Sequence, residues 1–86
     1  MKFVICYYEH NSKMADRLHM ELVNALTKHN IDILRMSTVS MVIDTPHTYI
    51  QFVTDPIKMI GRRPDEVFSS ESIDPILNYI LKEEND

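Results

Sequence analysis

Apolar and polar positions alternate along this chain in patterns that change abruptly from segment to segment. Residues 2–8, KFVICYY, form an unbroken apolar run of β-branched and aromatic side chains, the signature of a strand covered on both faces. EHNS follows as a turn, in which Asn11 or Ser12 is placed to cap a helix. Met14, Leu18, Leu22, Ala25 and Leu26 then share one helical face, while Lys13, Asp16, Arg17, Asn24 and Lys28 fall mainly elsewhere. The spacing predicts a helix over 12–29, closed by a left-handed Asn30.

IDILRMS, residues 31–37, alternates as a strand. TVSMVID reads as another, with Val39, Met41 and Ile43 on one face. DTPH, residues 44–47, has turn chemistry and TYIQFVT resumes strand character, so 38–54 reads as a hairpin. DPIKMIGRR suits one helical turn opened by Asp55 and Pro56 and closed by Gly61. EVFSS reads as a short buried strand. Ser72 caps a last helix over 72–83, whose stripe is Ile73, Ile76, Leu77, Ile80 and Leu81, with Pro75 tolerated in its first turn.

The order β-α-β-β-β-β-α predicts an α/β fold: one domain over 1–86, a mixed sheet of four or five strands, and two main helices. The strand–helix–strand start calls for a right-handed parallel crossover, and the hairpin adds antiparallel pairing. The expected core holds Val4, Ile5, Leu18, Leu22, Leu26, Ile33, Ile50, Phe52, Val67, Ile76 and Ile80.

At 86 residues the chain buries a modest fraction of its surface, which leaves room for a protein partner or a second copy to cover part of it. The formal charge of −4 argues against a general nucleic-acid binder. Against that balance, Lys58, Arg62 and Arg63 place three positive charges within six residues. One cysteine, Cys6, excludes an internal disulfide and fits a reducing compartment. Neither a signal peptide nor a membrane-length apolar stretch is visible, so the expected setting is a cytoplasm, that of the host if the protein is viral.

A single glycine excludes both the P-loop and the dinucleotide fingerprint, which need several. His10, His19, His29 and His47 are scattered along the chain. His19 and His29 lie about three helical turns apart, so no metal set is read and surface or half-buried positions are expected. Cys6 sits mid-strand as a small hydrophobe, the methionines read as core filling, and Ser69, Ser70 and Ser72 read as helix-capping residues. Glu9, His10 and Glu71 are the acid–base candidates, because open α/β sheets bind ligands at the carboxyl ends of their strands. No cofactor is implied.

Together with this element order, IQFVT and GRRPDEVFSSE resemble a piece of the phage large-terminase and superfamily-2 helicase ATPase core. In the resemblance, residues 2–29 match the first strand and helix, YIQFVT a hairpin strand, GRRPD a turn, and EVFSSE the acidic-motif strand. Glu71 matches that motif's glutamate, whereas Ser70 stands where its magnesium-binding aspartate belongs, and the phosphate loop is missing. The resemblance therefore implies a stand-alone P-loop-like remnant of the kind carried by phages and prophages, without ATPase activity.

The expected function is that of a non-enzymatic accessory protein, of phage or mobile-element type, that binds a macromolecular partner. Its recognition element is the loop 55–66, with Lys58, Gly61, Arg62, Arg63 and Asp65 as binding residues. Pro56 and Pro64 bracket the loop, and Asp65 and Glu66 stand close enough in sequence to neutralise the arginines. The alternatives are a small hydrolase or nuclease using Glu9, His10 and Glu71, and a nucleotide or nucleic-acid binder using Lys58, Arg62 and Arg63.

Overall fold

A computed structural model describes residues 1–85. Its elements are β1 (Lys2–Tyr7), α1 (Ser12–Lys28), β2 (Arg35–Ser37), β3 (Val42–Asp44), β4 (Thr48–Val53), a 3-10 turn (Pro56–Met59), β5 (Glu66–Phe68) and α2 (Asp74–Glu84). The strands form one mixed sheet in the order β2-β3-β4-β1-β5. The fold is α/β, with five strands and two helices.

β1 is central, as its apolar run requires. It pairs in parallel with β4, from Lys2 opposite Thr48 to Tyr7 opposite Val53, and in parallel with β5, from Val4 opposite Glu66 to Cys6 opposite Phe68. β4 pairs antiparallel with β3, and β3 antiparallel with β2. The crossover through α1 is thus parallel in direction, but it lands at the far edge of the sheet and not beside β1. Strands β3 and β4 fill the gap.

Alternation along the strands sends two sets of side chains to two faces. Val4, Cys6, Tyr8, Ile43, Ile50 and Phe52 join Ala15, Leu18, Leu22 and Leu26 of α1 and Ile76 and Ile80 of α2 in one core. Ile5, Val42 and Val53 are also buried, but they point to the opposite face. Neither α1 nor α2 lies there. That face is crossed by the strap, residues 54–65, which carries the chain from β4 over β1 to β5. Arg62 of the strap donates to the Gln51 side-chain carbonyl, and Gln51 alternates with the core-facing Ile50 and Phe52. The right-handed rule agrees: the chain moves along the sheet in opposite senses through α1 and through the strap, so the two connections take opposite faces.

Several expectations change. The strand read at 31–37 is formed only at Arg35–Ser37. Ile31 and Ile33 turn inward to pack against the core while the intervening backbone makes no ladder. Residues 38–41 are a turn and not strand: Ser37 Oγ accepts from Val39 N and Ser40 N, Met41 has a φ of 57°, and Val39 is 93% exposed. Val39, Met41 and Ile43 therefore do not share a face, and the hairpin shortens to 42–53. EVFSS is an exposed edge strand of three residues, with Val67 45% exposed, so Val67 leaves the expected core and Ile33 is only half-buried. A strand without a neighbour on one side cannot be buried on that side.

Both helices keep their expected stripes with small shifts. Asn11 Oδ1 caps α1 by accepting from Met14 N at 3.1 Å, and Asn30 takes the left-handed conformation with φ 59°. The buried face of α1 includes His19, 1% exposed, whose Nε2 lies 3.2 Å from the Val42 carbonyl and whose ring packs edge-on to Phe52. His19 is therefore a core residue and not one of the surface or half-buried histidines expected above. In α2, Ser72 Oγ accepts from Asp74 N at 3.1 Å, although the helix begins two residues later than read.

Candidate functional site

The strap is built by local chemistry. Asp55 Oδ1 accepts from Ile57 N at 3.0 Å, Pro56 occupies the first position of the 3-10 turn, and Ile60 N closes on the Ile57 carbonyl at 3.2 Å. Gly61 follows with φ +77°, a conformation that L side chains rarely adopt, and a Cβ there would meet open space. Glycine is needed here for the backbone turn alone. Past it, Asp65 fixes the strap to β1: its N donates to the Phe3 carbonyl at 2.7 Å, and its Oδ2 accepts from Phe3 N at 2.8 Å.

That fixation decides the electrostatics. Asp65, read from sequence as a partner for the arginines or as a binding residue, spends its carboxylate on the start of β1. Arg62 turns to Gln51. The one ion pair among the described residues is the exposed Arg17–Glu21 pair on α1, at 3.5 Å. Lys58, Arg62 and Arg63 thus stand on the strap with no carboxylate partner among the described residues, and internal neutralisation does not occur. Ile57 is 72% and Ile60 79% exposed on the same segment. Beside the strap, a cleft of ≈ 250 Å³ runs to the 39–41 turn and is lined by Val39, Met41, Gln51, Val53, Asp55 and Lys58, among others.

The acid–base candidates are only partly assembled. Glu9 and Glu71 line an open cleft of ≈ 390 Å³ with Tyr7, Tyr8, Asn11, Met14 and Ser69, at the carboxyl ends of β1 and β5. His10 is not on its lining. Its φ is 54°, and its N donates to the Thr54 carbonyl at 2.8 Å, which extends the β1–β4 ladder. Tyr7 Oη donates to Glu9 Oε1 at 2.7 Å, and the tyrosine is pushed up to about 12 first by that bond, then by burial and by the charges of Glu9 and Asp55. Arg17 at the rim reaches the Glu71 carbonyl at 3.4 Å, not its carboxylate. Burial pushes the Cys6 thiol well above its ordinary range, so it is no nucleophile. Among the described residues, no group of three or more His, Cys, Asp or Glu is placed to hold a metal ion.

Sequence reading marked the loop 55–66 by its charges and did not single out Ile57 and Ile60 as exposed groups. The signal was available in the brevity of the single helical turn read there, since one turn has no opposite face to hide. No family model, curated protein or solved structure matches the chain. No helix of the described residues is long and apolar enough to cross a membrane.

Proposed function

We propose that this chain is a non-enzymatic binding protein whose strap docks on an acidic surface of another protein. One observation carries the reading: the strap exposes Ile57 and Ile60 beside three cations, Lys58, Arg62 and Arg63, that have no carboxylate partner among the described residues. Exposed apolar side chains rimmed by arginine are the composition of an interface centre. Arginine is suited to the role because its planar fork binds carboxylates in pairs of hydrogen bonds. Pro56 and the Asp65 tether hold the two ends, so little entropy is lost when a partner binds.

Selection of a random linear-peptide display library against the chain tests this. Enriched peptides should combine Asp or Glu with apolar residues and bind less tightly as salt rises. Replacing Arg62 and Arg63 together by alanine should weaken binding by about tenfold or more, roughly 1.4 kcal/mol. The melting temperature should shift by less than about 4 °C, the effect of a surface change of about 0.5 kcal/mol in so small a domain. Enrichment of basic peptides, or affinity indifferent to the double substitution, refutes the reading. Tighter binding to a single-stranded oligonucleotide than to any selected peptide would reassign the strap to nucleic acid.

A further inference from the structure

We infer that the cleft between the strap and the 39–41 turn receives a glutamate side chain of the acidic partner, an inference that rests on the strap reading above. At ≈ 250 Å³ the cleft falls below the roughly 300 Å³ at which small-molecule pockets begin, so it suits one side chain and not a cofactor. Its wall is mixed in a particular way. Val39 and the half-buried Met41 offer an apolar surface over the buried Val53, and Lys58 brings an ammonium group to the lining. Gln51 presents its carbonyl to Arg62, which leaves its NH₂ group as a donor and draws the guanidinium to the same wall.

A glutamate matches these features in order. Its two methylenes lie along the apolar wall, and its carboxylate reaches Lys58 and the Gln51 amide. The lining has one carboxylate, Asp55, whose Oδ1 already accepts from Ile57 N; Lys58 on the lining opposes it, and Arg62, bonded to the lining Gln51, adds a second positive charge behind the wall. An aspartate has one methylene fewer and binds about fourfold more weakly by the burial of that group. The cleft adjoins the exposed strap, so a single partner segment covers Ile57 and Ile60 while seating its glutamate. The site therefore selects an acidic segment by shape as well as by charge.

The test is an NMR titration of the ¹⁵N-labelled full chain with N-acetyl-glutamate N-methylamide and with its glutamine and aspartate counterparts. Shift changes should concentrate at Gln51 and Lys58 and at Ser40 and Thr54, which also line the cleft, and the glutamine form should bind about tenfold more weakly or worse. Lys58→Gln should cause the same loss with an unchanged melting temperature. Shifts centred elsewhere, equal binding of the glutamine form, or indifference to Lys58→Gln overturns the inference. A synthetic peptide of alternating glutamate and leucine separates the two proposals. If Arg62→Ala/Arg63→Ala abolishes its binding while Lys58→Gln and the cleft-filling Ser40→Trp do not, the strap reading stands and the cleft assignment fails. If Lys58→Gln and Ser40→Trp abolish it while the arginine pair is dispensable, the cleft stands and the strap reading fails.

Discussion

Glu84, near the end of α2, holds more of the fold together than its place in an acidic tail suggests. Its Oε1 accepts from the Thr45 hydroxyl, from His47 N at 3.1 Å and from the Thr48 hydroxyl at 3.4 Å, so one carboxylate ties the helix to the β3–β4 turn. Thr45 and Thr48 are fully buried. A carboxylate at a helix C-terminus opposes the macrodipole, and three donors offset that cost. Glu84→Ala should destabilise the domain by about 1–3 kcal/mol, because it removes the one charged acceptor shared by the buried Thr45 and Thr48 hydroxyls and His47 N. Glu21→Ala, which breaks only the exposed pair with Arg17, should change stability by less than about 0.5 kcal/mol. Urea melts of the two variants check the contrast, and equal losses would refute the clamp.

Two tyrosines make a second test at this scale. Tyr7 and Tyr8 are each raised from 10.0 to about 12, Tyr7 chiefly through its bond to Glu9 and Tyr8 chiefly through burial. A raised folded-state value favours the neutral phenol in the fold. The resulting stability is fully present below pH 10, the unfolded value, and is lost as pH climbs from 10 toward 12. Burial also raises Tyr79, so tyrosinate absorbance should show three late-titrating tyrosines, and the melting temperature should fall across that window. Tyr8→Phe should remove one late titration. An ordinary titration of all four tyrosines would sink the assignment.

At the scale of elements, the strap and the edge strands show where patterning stops being informative. Gly61→Ala places a Cβ at φ +77°, where space is open but the backbone is strained, and should cost about 1 kcal/mol. Because Asp65 still ties the far end to Phe3, the loss should appear in the order of residues 56–63 more than in the sheet. Amide exchange of that segment, faster in the variant while β1 stays protected, is the expected result. Uniformly faster exchange would mean that the strap is part of the cooperative core. β5, by contrast, was read as buried from its apolar Val67 and Phe68. A three-residue run does not reveal whether a neighbour exists on each side, and only the strand order makes it an edge.

At the scale of the whole molecule, stability is concentrated in the central pair of strands. β1 and β4 pair over six residues each, and the ladder is lengthened by Lys2 N to the His47 carbonyl and Tyr8 N to the Val53 carbonyl, both at 2.9 Å. Their amides should exchange last, while β2 and β5, three residues each at the edges, open first. Leu22→Ala, at a side chain with no exposed surface between sheet and helices, should cost about 2–5 kcal/mol and accelerate exchange everywhere. Slowest exchange at β2 or β5 would contradict the topology.

What the sequence by itself determined is whatever depends on residues near one another in the chain. The run KFVICYY marked β1 as interior, the 3.6-residue stripes placed both helices, and Asn11, Asn30, Asp55 and Gly61 marked their turns, because capping and left-handed conformations are local properties. The tertiary structure alone decided the rest. It set β4 and β5, not β2, beside β1, since strand order depends on how distant faces pack. It buried His19 by bringing the Val42 carbonyl within 3.2 Å, across 23 residues of chain. It also sent the Asp65 carboxylate to Phe3, 62 residues away, and so left Arg62 and Arg63 without the carboxylate that stood nearest to them in sequence.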